Sequence, residues 1–276
     1  MLKRVMTTVI GVGILIAIFV LDSFQFVKGP FIFNIALSIA SCMMTHEFYD
    51  ALSKKGVKPI RNVGYVASLA ILPIGFLNNE MISLINFMLV TILILISFIE
   101  SLRTNIKYNI IDIAVTILGP LYTVFLSSFL AHTRIMDNGN GVWYVWFILG
   151  GAWFTDVFAF LVGKSIGKHK VSKISPKKSW VGCFGGLIGS IVFFVIYTNI
   201  LHNLQLVELN YIIMGILGGV VSIIAQIGDF SASSIKRYCD VKDFSNLMPG
   251  HGGMLDRFDS ILFAAPVVYF VLTMLI

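Results

Sequence analysis

The chain has 276 residues, of which 57% are apolar and 12% are charged, and its formal net charge is +6 at pH 7. Soluble domains carry about 25% charged residues, and a soluble protein with so little charge would lack the polar surface that keeps it dissolved. Together with a mean hydropathy of +0.90, this composition excludes an ordinary soluble protein and predicts an all-α polytopic integral membrane protein.

Nine apolar segments are long enough to cross a bilayer as helices. They cover residues 5–21, 30–49, 62–77, 81–99, 110–131, 142–163, 181–200, 209–228 and 258–276. The first segment follows Lys3 and Arg4 and has no small-residue cleavage site after it, so we predict a transmembrane helix and not a cleaved signal peptide. Segments 62–77 and 81–99 are joined by a short turn and are predicted to form a helical hairpin.

Lys and Arg are distributed very unevenly among the connections between these segments. With the N-terminus in the cytoplasm, 18 of the 20 Lys and Arg residues fall on the cytoplasmic side, and only Lys28 and Arg134 fall outside. Positive charge on the inner side orients membrane proteins. The pattern therefore predicts nine helices with a cytoplasmic N-terminus and an outer C-terminus. Trp143, Tyr144 and Trp146 fit an aromatic belt at the outer interface.

The chain is predicted to form a single membrane domain, residues 1–276. Within it, residues 1–131 hold about five N-terminal helices, and residues 142–276 hold the C-terminal helices with the catalytic chemistry. Two long polar loops, 164–180 and 229–257, connect helices of the C-terminal part. The three cysteines form no CxxC or His/Cys ligand pattern, so we expect neither a disulfide framework nor a zinc site.

The first polar constellation is "TDVFAFLVGKSIGKHKVSKISPKKSW", residues 155–180. Asp156 lies inside a predicted helix, where an ionised residue costs roughly 2.5–3.5 kcal/mol on insertion scales and marks a functional site by default. The alternative is a structural pair with a basic residue on a neighbouring helix. The six Lys of the following loop suit phosphate oxygens, or else form a solvated loop that holds anionic lipid headgroups. GxxxG patterns at 182–186 and 185–189 predict close helix packing.

The second constellation is "GDFSASSIKRYCDVKDFSNLMPGHGGMLDRFDS", residues 228–260. We read it as a helix that continues past Gly228 and carries polar residues on one face. Those residues are Asp229, Ser233, Lys236 and Arg237. The "PGHGG" stretch predicts an irregular turn. Asp256 and Asp259 then open the last helix, where the alternative to a functional role is a favourable interaction with the helix dipole.

Several carboxylates beside Lys and Arg around glycine-rich turns are what a magnesium–polyphosphate site requires. Oxygen ligands hold Mg²⁺, which bridges to substrate phosphates, and cations neutralise charge at the transferring phosphorus. There is no Walker A motif, no GxGxxG before a helix and no defensible Ser-His-Asp order. A membrane-embedded chain with this chemistry is expected to act on a lipid, a nucleotide, or both.

The stretch "SSIKRYCDVKDFSNLMPGHGGMLDRFD", residues 233–259, resembles the signature of the phosphatidate cytidylyltransferases, also called CDP-diacylglycerol synthases. The upstream stretch 155–180 and the nine predicted helices are also similar to that family. The resemblance covers about the C-terminal half by motif and the whole chain by topology. There are two departures: Met248 replaces another apolar residue, and Val181 stands where the family usually has an acid.

The resemblance implies that CTP and phosphatidate react to give CDP-diacylglycerol and pyrophosphate in phospholipid biosynthesis. It implies Mg²⁺ as the cofactor, with a second cation as an open alternative. The expected surroundings are a plasma membrane, with the active site on its cytoplasmic side, and the compact form points to a bacterial protein. A homodimer is a further expectation, supported by the family and by the GxxxG patterns, and no nucleic-acid partner is expected.

The resemblance also implies a role for each matching residue. The implied catalytic residues are Asp229, Lys236, Arg237, Asp256 and Arg257. The implied substrate contacts are Asp156, Lys177, Lys178, Ser179, Ser233, Lys242 and His251. The implied metal ligands are Asp229 and Asp256, with Asp243 and Asp259 as further candidates. For His251, a structural role that caps the turn is an equally good alternative.

Two other classes of protein are compatible with parts of the pattern. A transporter or flippase for an anionic solute would suit Asp156 and the Gly-rich breaks, but we find no paired halves, and the charges gather at one face. A lipid or polyprenol kinase that uses CTP would share the nucleotide site and transfer the γ-phosphoryl group instead. Analysis of the products separates the kinase from the nucleotidyltransferase.

Overall fold

The computed structural model describes residues 2–23, 30–76, 79–105, 107–172, 175, 178–248, 250 and 252–276. Regular structure in these ranges is helical, and the extended pairings within them are two isolated β-bridges, one between Lys170 and Ser179 and one between Met248 and Gly252. The prediction of an all-α fold is therefore confirmed.

Ten α-helices follow one another along the described residues. They are α1 (Leu2–Ser23), α2 (Phe31–Ser53), α3 (Arg61–Ser68), α4 (Asn79–Arg103), α5 (Ile110–Pro120), α6 (Leu126–Arg134), α7 (Gly141–Ile166), α8 (Trp180–Asn203), α9 (Tyr211–Tyr238) and α10 (Leu255–Leu275). Helix α3 continues as a 3₁₀-helix, Leu69–Phe76, and a π-helical turn, Leu121–Phe125, joins α5 to α6. A short 3₁₀ turn, Asp137–Gly139, precedes α7.

Seven helical stretches in the described part of the chain are long and apolar enough to cross a membrane. They are Phe31–Ser53, Asn86–Arg103, Ile110–Arg134, Gly141–Ile166, Trp180–Asn203, Tyr211–Tyr238 and Leu255–Leu275. Within the described residues all nine predicted apolar segments are helical, but nine spans are not confirmed. Two segments are missing from the seven: α1 contributes a shorter apolar stretch, Gly13–Asp22, and the third segment consists of the short α3 and a 3₁₀-helix. The orientation of the two termini stays a prediction.

The third predicted segment, 62–77, differs from a single α-helix. Its first half is α3, and its second half is the 3₁₀-helix that contains Pro73. Proline has no N–H to donate to an α-helical turn, and the chain tightens to 3₁₀ geometry around it. Both halves pack against α4, in accord with the predicted hairpin. Residues 77 and 78, in the predicted turn, lie outside the described residues.

The chain divides into two compact units that differ from a simple N-terminal and C-terminal split. The first unit comprises Met1–His132 and Tyr238–Arg257, and the second comprises Thr133–Arg237 and Phe258–Ile276. The loop after α9 therefore folds with the N-terminal helices. The single membrane domain, with its division at 131 and 142, stays a prediction.

Helix α2 is the centre of the first unit, where it packs against α1, α3 and α5 and against the 3₁₀ and π-helical stretches. Hydroxyl pairs join it to the helical stretch 121–134: Ser41 and Ser127 lie 2.7 Å apart, and Thr45 and Thr123 lie 2.5 Å apart. The fully buried Tyr49 donates its hydroxyl to the Thr116 carbonyl oxygen at 2.7 Å. Helix α2 thus pairs several of its buried hydroxyl groups, whereas the side-chain amide of the buried Asn34 has no hydrogen-bond partner among the described residues.

The second unit is built on a close pair of helices, α7 and α8. A Cβ atom added at Gly182 or Gly186 would lie 2.7 Å from a carbonyl oxygen of α7, that of Ala159 or Thr155 respectively. Only glycine permits this approach, so the predicted close packing at the GxxxG patterns is confirmed. Because this glycine face packs within the chain, it gives no support to a homodimer, which stays a prediction.

Candidate active site

The two polar constellations of the sequence meet at Asp229 in the second unit. Lys178, from the end of the first constellation, forms an ion pair with the Asp229 carboxylate, and Ser233 donates its hydroxyl to Asp229 Oδ1 at 3.4 Å. The Lys178 ammonium also lies 4.5 Å from the centre of the Phe230 ring, within cation–π range. The two charged side chains are only 20% and 24% exposed. We call Lys178, Asp229 and Ser233 the Asp229 cluster.

Further predicted residues of the second unit interact electrostatically with this cluster. Asp259 on α10 interacts with the charges of Asp229, Lys236 and Asp156, and a Cβ at Gly228 would lie 2.5 Å from the Asp259 carbonyl oxygen. Helix α9 therefore approaches α10 closely at Gly228, next to Asp229 on α9 and at Asp259 on α10. Three carboxylates and a lysine, predicted from separate stretches, share one neighbourhood.

These carboxylates are oxygen donors of the type that Mg²⁺ prefers. Within the described part of the chain, no three His, Cys, Asp or Glu side chains are close enough together to form a ready-made metal site. Mg²⁺ is commonly held by one or two carboxylates and completes its shell with waters and substrate phosphates. The donor set therefore fits a magnesium ion that binds together with a phosphate substrate.

Backbone hydrogen bonds place Lys178 at the start of α8. Val171 N donates to the Lys178 carbonyl oxygen and Trp180 N donates to the His169 carbonyl oxygen, both at 3.1 Å. Ser179 is the N-cap of α8: its buried hydroxyl accepts a hydrogen bond from Gly182 N at 3.2 Å. Ser179 thus has a structural role in this geometry, and its predicted contact with phosphate stays a prediction.

Asp256 lies in the first unit and binds backbone groups. Its Oδ2 atom accepts hydrogen bonds from Phe244 N at 2.8 Å and from Gly253 N at 2.9 Å. Gly252, at φ +84°, has a backbone conformation that favours glycine, and a Cβ there would lie 2.9 Å from the same oxygen. The predicted irregular turn is confirmed at Gly250, φ +83°, and Gly252.

Glu47 is a buried acid that the sequence patterns do not single out. Its carboxylate accepts hydrogen bonds from Ser245 Oγ at 2.6 Å, Met254 N at 2.9 Å and Leu255 N at 2.7 Å, all in the first unit. The signal that would have found it is the one applied to Asp156, an acid inside a predicted membrane helix. Its partners lie about 200 residues away along the chain, where local spacing carries no information.

The remaining predicted residues differ in exposure, and two of them lie outside the described residues. Those on the surface are Asp156 on α7, Arg237 at the end of α9, and Lys242, Asp243 and Arg257 in or next to the loop before α10. Lys236 is half-buried and Asp259 is buried. Lys177 and His251 lie outside the described residues, so their predicted roles stay predictions.

A cavity of about 630 Å³ in the first unit has a lining of different chemistry. It runs between the stretch 60–73 and α4, and its lining is apolar except for Asn62, Glu100 and Arg103 at one part of the wall. None of the predicted site residues lines it. Charge and hydrogen bonding, and not cavity volume, therefore locate the candidate active site.

Comparison with known proteins gives concordant matches. The model of the cytidylyltransferase family matches residues 2–275. A Bacillus subtilis (strain 168) protein named phosphatidate cytidylyltransferase is 30% identical over 99% of this chain and 98% of its own length. A protein of the same name from Synechocystis is 29% identical over 99% of this chain and 97% of its own length. One from Thermotoga maritima is 36% identical over 55% of this chain and 56% of its own length.

Proposed function

Because this chain belongs to the cytidylyltransferase family, we propose that it transfers the cytidylyl group of CTP to phosphatidate and so produces CDP-diacylglycerol and pyrophosphate. The relatives named phosphatidate cytidylyltransferase, two of which match nearly the full chain, support this substrate pair. Such an enzyme acts in phospholipid biosynthesis, and the seven apolar helical stretches among the described residues suit the membrane in which its lipid substrate resides.

The single observation that carries the proposal is the contact of Lys178 with Asp229. It joins a lysine-rich stretch to a helix of acids and cations, 51 positions further along the chain. A cation and a carboxylate that are held together and partly buried can bind a phosphate and its metal counter-ion. The phosphate then binds the lysine in place of the carboxylate, and the metal ion binds the carboxylate in place of the lysine. A solvated surface loop would not hold its lysine against a half-buried acid.

The chemistry needs charge neutralisation more than it needs a strong base. The second pKa of a phosphate monoester is about 6, so the phosphatidate headgroup is largely dianionic and nucleophilic at neutral pH. A lipid phosphate oxygen attacks the α-phosphorus of CTP, a new P–O bond forms, and the bond from the α-phosphorus to the oxygen that bridges to the β-phosphorus breaks. Pyrophosphate leaves with that electron pair.

Coulomb repulsion between the two anionic substrates is the main obstacle in a low-dielectric site. Lys178, Lys236 and Arg237 supply positive charge beside the attacking and leaving phosphates, and Ser233 donates a hydroxyl hydrogen bond. Lys177, Ser179, Lys242, His251 and Arg257 extend the set of phosphate contacts, and Asp156 lines the approach of the lipid headgroup. Holding both substrates in one geometry supplies a further part of the rate enhancement.

Mg²⁺ would be held by Asp229 and Asp256, with Asp243 and Asp259 as additional ligands or as ligands for a second cation. When bound, the ion supplies Lewis-acid neutralisation of the triphosphate charge. The chain's own part is to hold these carboxylates: Ser233 and Lys178 orient Asp229, and two backbone N–H groups orient Asp256.

The proposed arrangement in the membrane has nine spans, a cytoplasmic N-terminus and an outer C-terminus in a bacterial plasma membrane. The distribution of Lys and Arg supports it, because 18 of the 20 then lie on the cytoplasmic side. CTP would reach the site from the cytoplasm, and phosphatidate would reach it from the inner leaflet. A homodimer remains part of the proposal, on the strength of the family alone.

The proposal is tested by product analysis with purified protein in liposomes that contain phosphatidate, supplied with CTP and Mg²⁺. We expect release of pyrophosphate that depends on phosphatidate, and a lipid product with the mass of CDP-diacylglycerol. Release of CDP with formation of a phosphorylated lipid would establish a kinase instead. Movement of phosphatidate or solute across the bilayer without any chemical change would establish a transporter.

A further inference from the structure

Glu47 occupies an unusual place for an acid. It lies within α2, one of the helices long and apolar enough to span a membrane, and its side chain is only 4% exposed. A carboxylate buried there is costly unless several donors satisfy it. Three donors do so, and all three come from the loop that precedes α10 or from the first residue of that helix.

The three hydrogen bonds fasten both ends of this loop. Ser245 lies near its beginning, and Met254 N and Leu255 N lie where α10 starts. The first N–H groups of a helix have no acceptor within the helix, and a negative charge at that end also interacts favourably with the helix dipole. Glu47 therefore acts as an N-terminal cap that another helix supplies.

The fit between Glu47 and the loop leaves no spare room. A Cβ atom at Gly253 would lie 2.5 Å from both carboxylate oxygens of Glu47. Gly253 also donates its N–H to Asp256 Oδ2. The backbone of Gly253 is thus held between two carboxylates, one from α2 and one from the first turn of α10.

We propose that Glu47 is a positioning residue for nucleotidyl transfer, because its hydrogen bonds to Ser245, Met254 and Leu255 fix the backbone that sets the orientation of Asp256 and Arg257 at the start of α10. This role rests on the proposed function of that same site. Met254 and Leu255, which Glu47 binds, immediately precede Asp256, so a shift of their backbone moves the Asp256 carboxylate directly. In this proposal Glu47 acts through Asp256 and not by contact with a substrate.

The test compares Glu47→Gln with wild-type protein in liposomes that contain phosphatidate. The amide keeps the size of the side chain, but its NH₂ group replaces one acceptor oxygen and then faces a group that also donates a hydrogen bond. We expect kcat to fall about 10- to 100-fold, the usual cost when a group that supports a ligand is lost, while KM for CTP and for phosphatidate changes less than about threefold. Hydrogen exchange at Met254 and Leu255 should rise in the same variant.

Thr45→Val is the matched control on the same helix. It removes a buried hydroxyl that bonds to Ser41 and Thr123 and that does not contact the loop, so its thermal midpoint should fall while its kcat stays near the wild-type value. Ser245→Ala removes one of the three donors to Glu47 and should lower kcat several-fold, which keeps the test decisive if Glu47→Gln does not fold.

The outcomes separate this inference from the proposed function. If wild-type protein forms no CDP-diacylglycerol, the proposed function fails first. If wild-type protein is active and Glu47→Gln, or Ser245→Ala in its place, retains wild-type kcat, the positioning role is wrong. It is equally wrong if Thr45→Val lowers kcat as much as the variants at Glu47 and Ser245 do.

Discussion

Asp229 in the second unit and Asp256 in the first unit differ in the kind of partner that each carboxylate binds. Asp229 binds an ammonium group and a hydroxyl, both at the ends of side chains. Asp256 binds two backbone N–H groups, those of Phe244 and Gly253. Side chains can turn away from a carboxylate when a ligand arrives, whereas backbone groups in a tight loop cannot move without changing the loop.

In the proposed reaction, this difference implies a different role for each of the two acids. The Asp229 cluster can exchange an internal ion pair for contacts with metal and phosphate, so its charge is balanced before and after the ligands bind. Asp256 is held in one orientation by its loop, and that loop is held in turn by Glu47. The first acid is adjustable and the second is preorganised.

Replacing Asp229 should produce the largest loss of activity. We expect Asp229→Ala to lower kcat/KM at least about 100-fold, the scale found when one electrostatic group at a reacting centre is removed. The amount of membrane-inserted protein should stay the same, because Lys178 and Ser233, which bind the Asp229 carboxylate, do so through their side chains. Formation of CDP-diacylglycerol and the yield of folded protein are the two measurements.

The matched control is Asp240→Ala, which removes an acid that is 81% exposed and paired with Lys55. It should keep near-normal turnover. Near-normal turnover in Asp229→Ala as well would contradict the assignment of Asp229 to the active site and would remove the contrast with Asp256.

Asp256→Ala should differ from Asp229→Ala by losing stability together with activity. It leaves the N–H groups of Phe244 and Gly253 without an acceptor, which costs about 1–3 kcal/mol for each buried group left unpaired. The thermal midpoint in detergent should therefore fall clearly below that of Asp229→Ala. Equal midpoints for the two variants would show that Asp256 does not organise the loop.

Gly252→Ala should give a smaller effect of the same kind. The positive φ at position 252 costs about 1–2 kcal/mol for a residue with a side chain. The new methyl group would also lie 2.9 Å from Asp256 Oδ2 and displace the carboxylate. We expect about a 10-fold loss of kcat, since a 1 Å misplacement at an active site can cost roughly 100-fold.

The control for Gly252→Ala is Gly56→Ala. Gly56 has nearly the same φ, +83°, and nothing lies within 4 Å of an added Cβ. The Gly56→Ala variant should lose a similar amount of stability from backbone strain and keep its activity. An equal loss of kcat in both variants would mean that pressure on Asp256 is not the cause.

The smallest effect is expected at the Lys55–Asp240 ion pair, 2.5 Å long, in the first unit. The hydrogen bond to Asp240 raises the pKa of Lys55 above its ordinary value of 10.5. A raised lysine pKa stabilises the fold at every pH below the ordinary pKa of lysine. This contribution is lost as the pH rises through the folded-state pKa.

Lys55→Ala should therefore show the same dependence of its thermal midpoint on pH as wild-type protein between pH 6 and about pH 9. The two should converge only in strongly alkaline solution. A divergence that begins near neutral pH would show that another group titrates with this pair.

Hydropathy and charge predicted the helical elements well because they are local properties of the chain. In the part of the chain that the structure describes, all nine apolar segments are helical, and the extension of α9 beyond Gly228 carries Asp229 and Ser233 on one face, as predicted. The main difference, the 3₁₀-helix at Leu69–Phe76, has a local cause in Pro73, but sequence spacing does not reveal how far a helix tightens around a proline.

The contacts that build the site could not be predicted from spacing. Lys178 meets Asp229 across 51 positions, and Glu47 reaches Leu255 across 208. The motif resemblance named candidate site residues, but it did not show which carboxylates bind side chains and which bind backbone. Nor did it show that Ser179 is the N-cap of α8.

The fate of the α-phosphorus of CTP tests the central claim most directly. Purified wild-type protein is incubated in liposomes with phosphatidate, Mg²⁺ and CTP labelled separately at the α- and γ-phosphorus. We predict that the α-label enters the lipid and that the γ-label leaves as pyrophosphate. Entry of the γ-label into lipid, or no transfer of either label by folded protein, would contradict the account, and Val181→Glu would then be the next variant to examine.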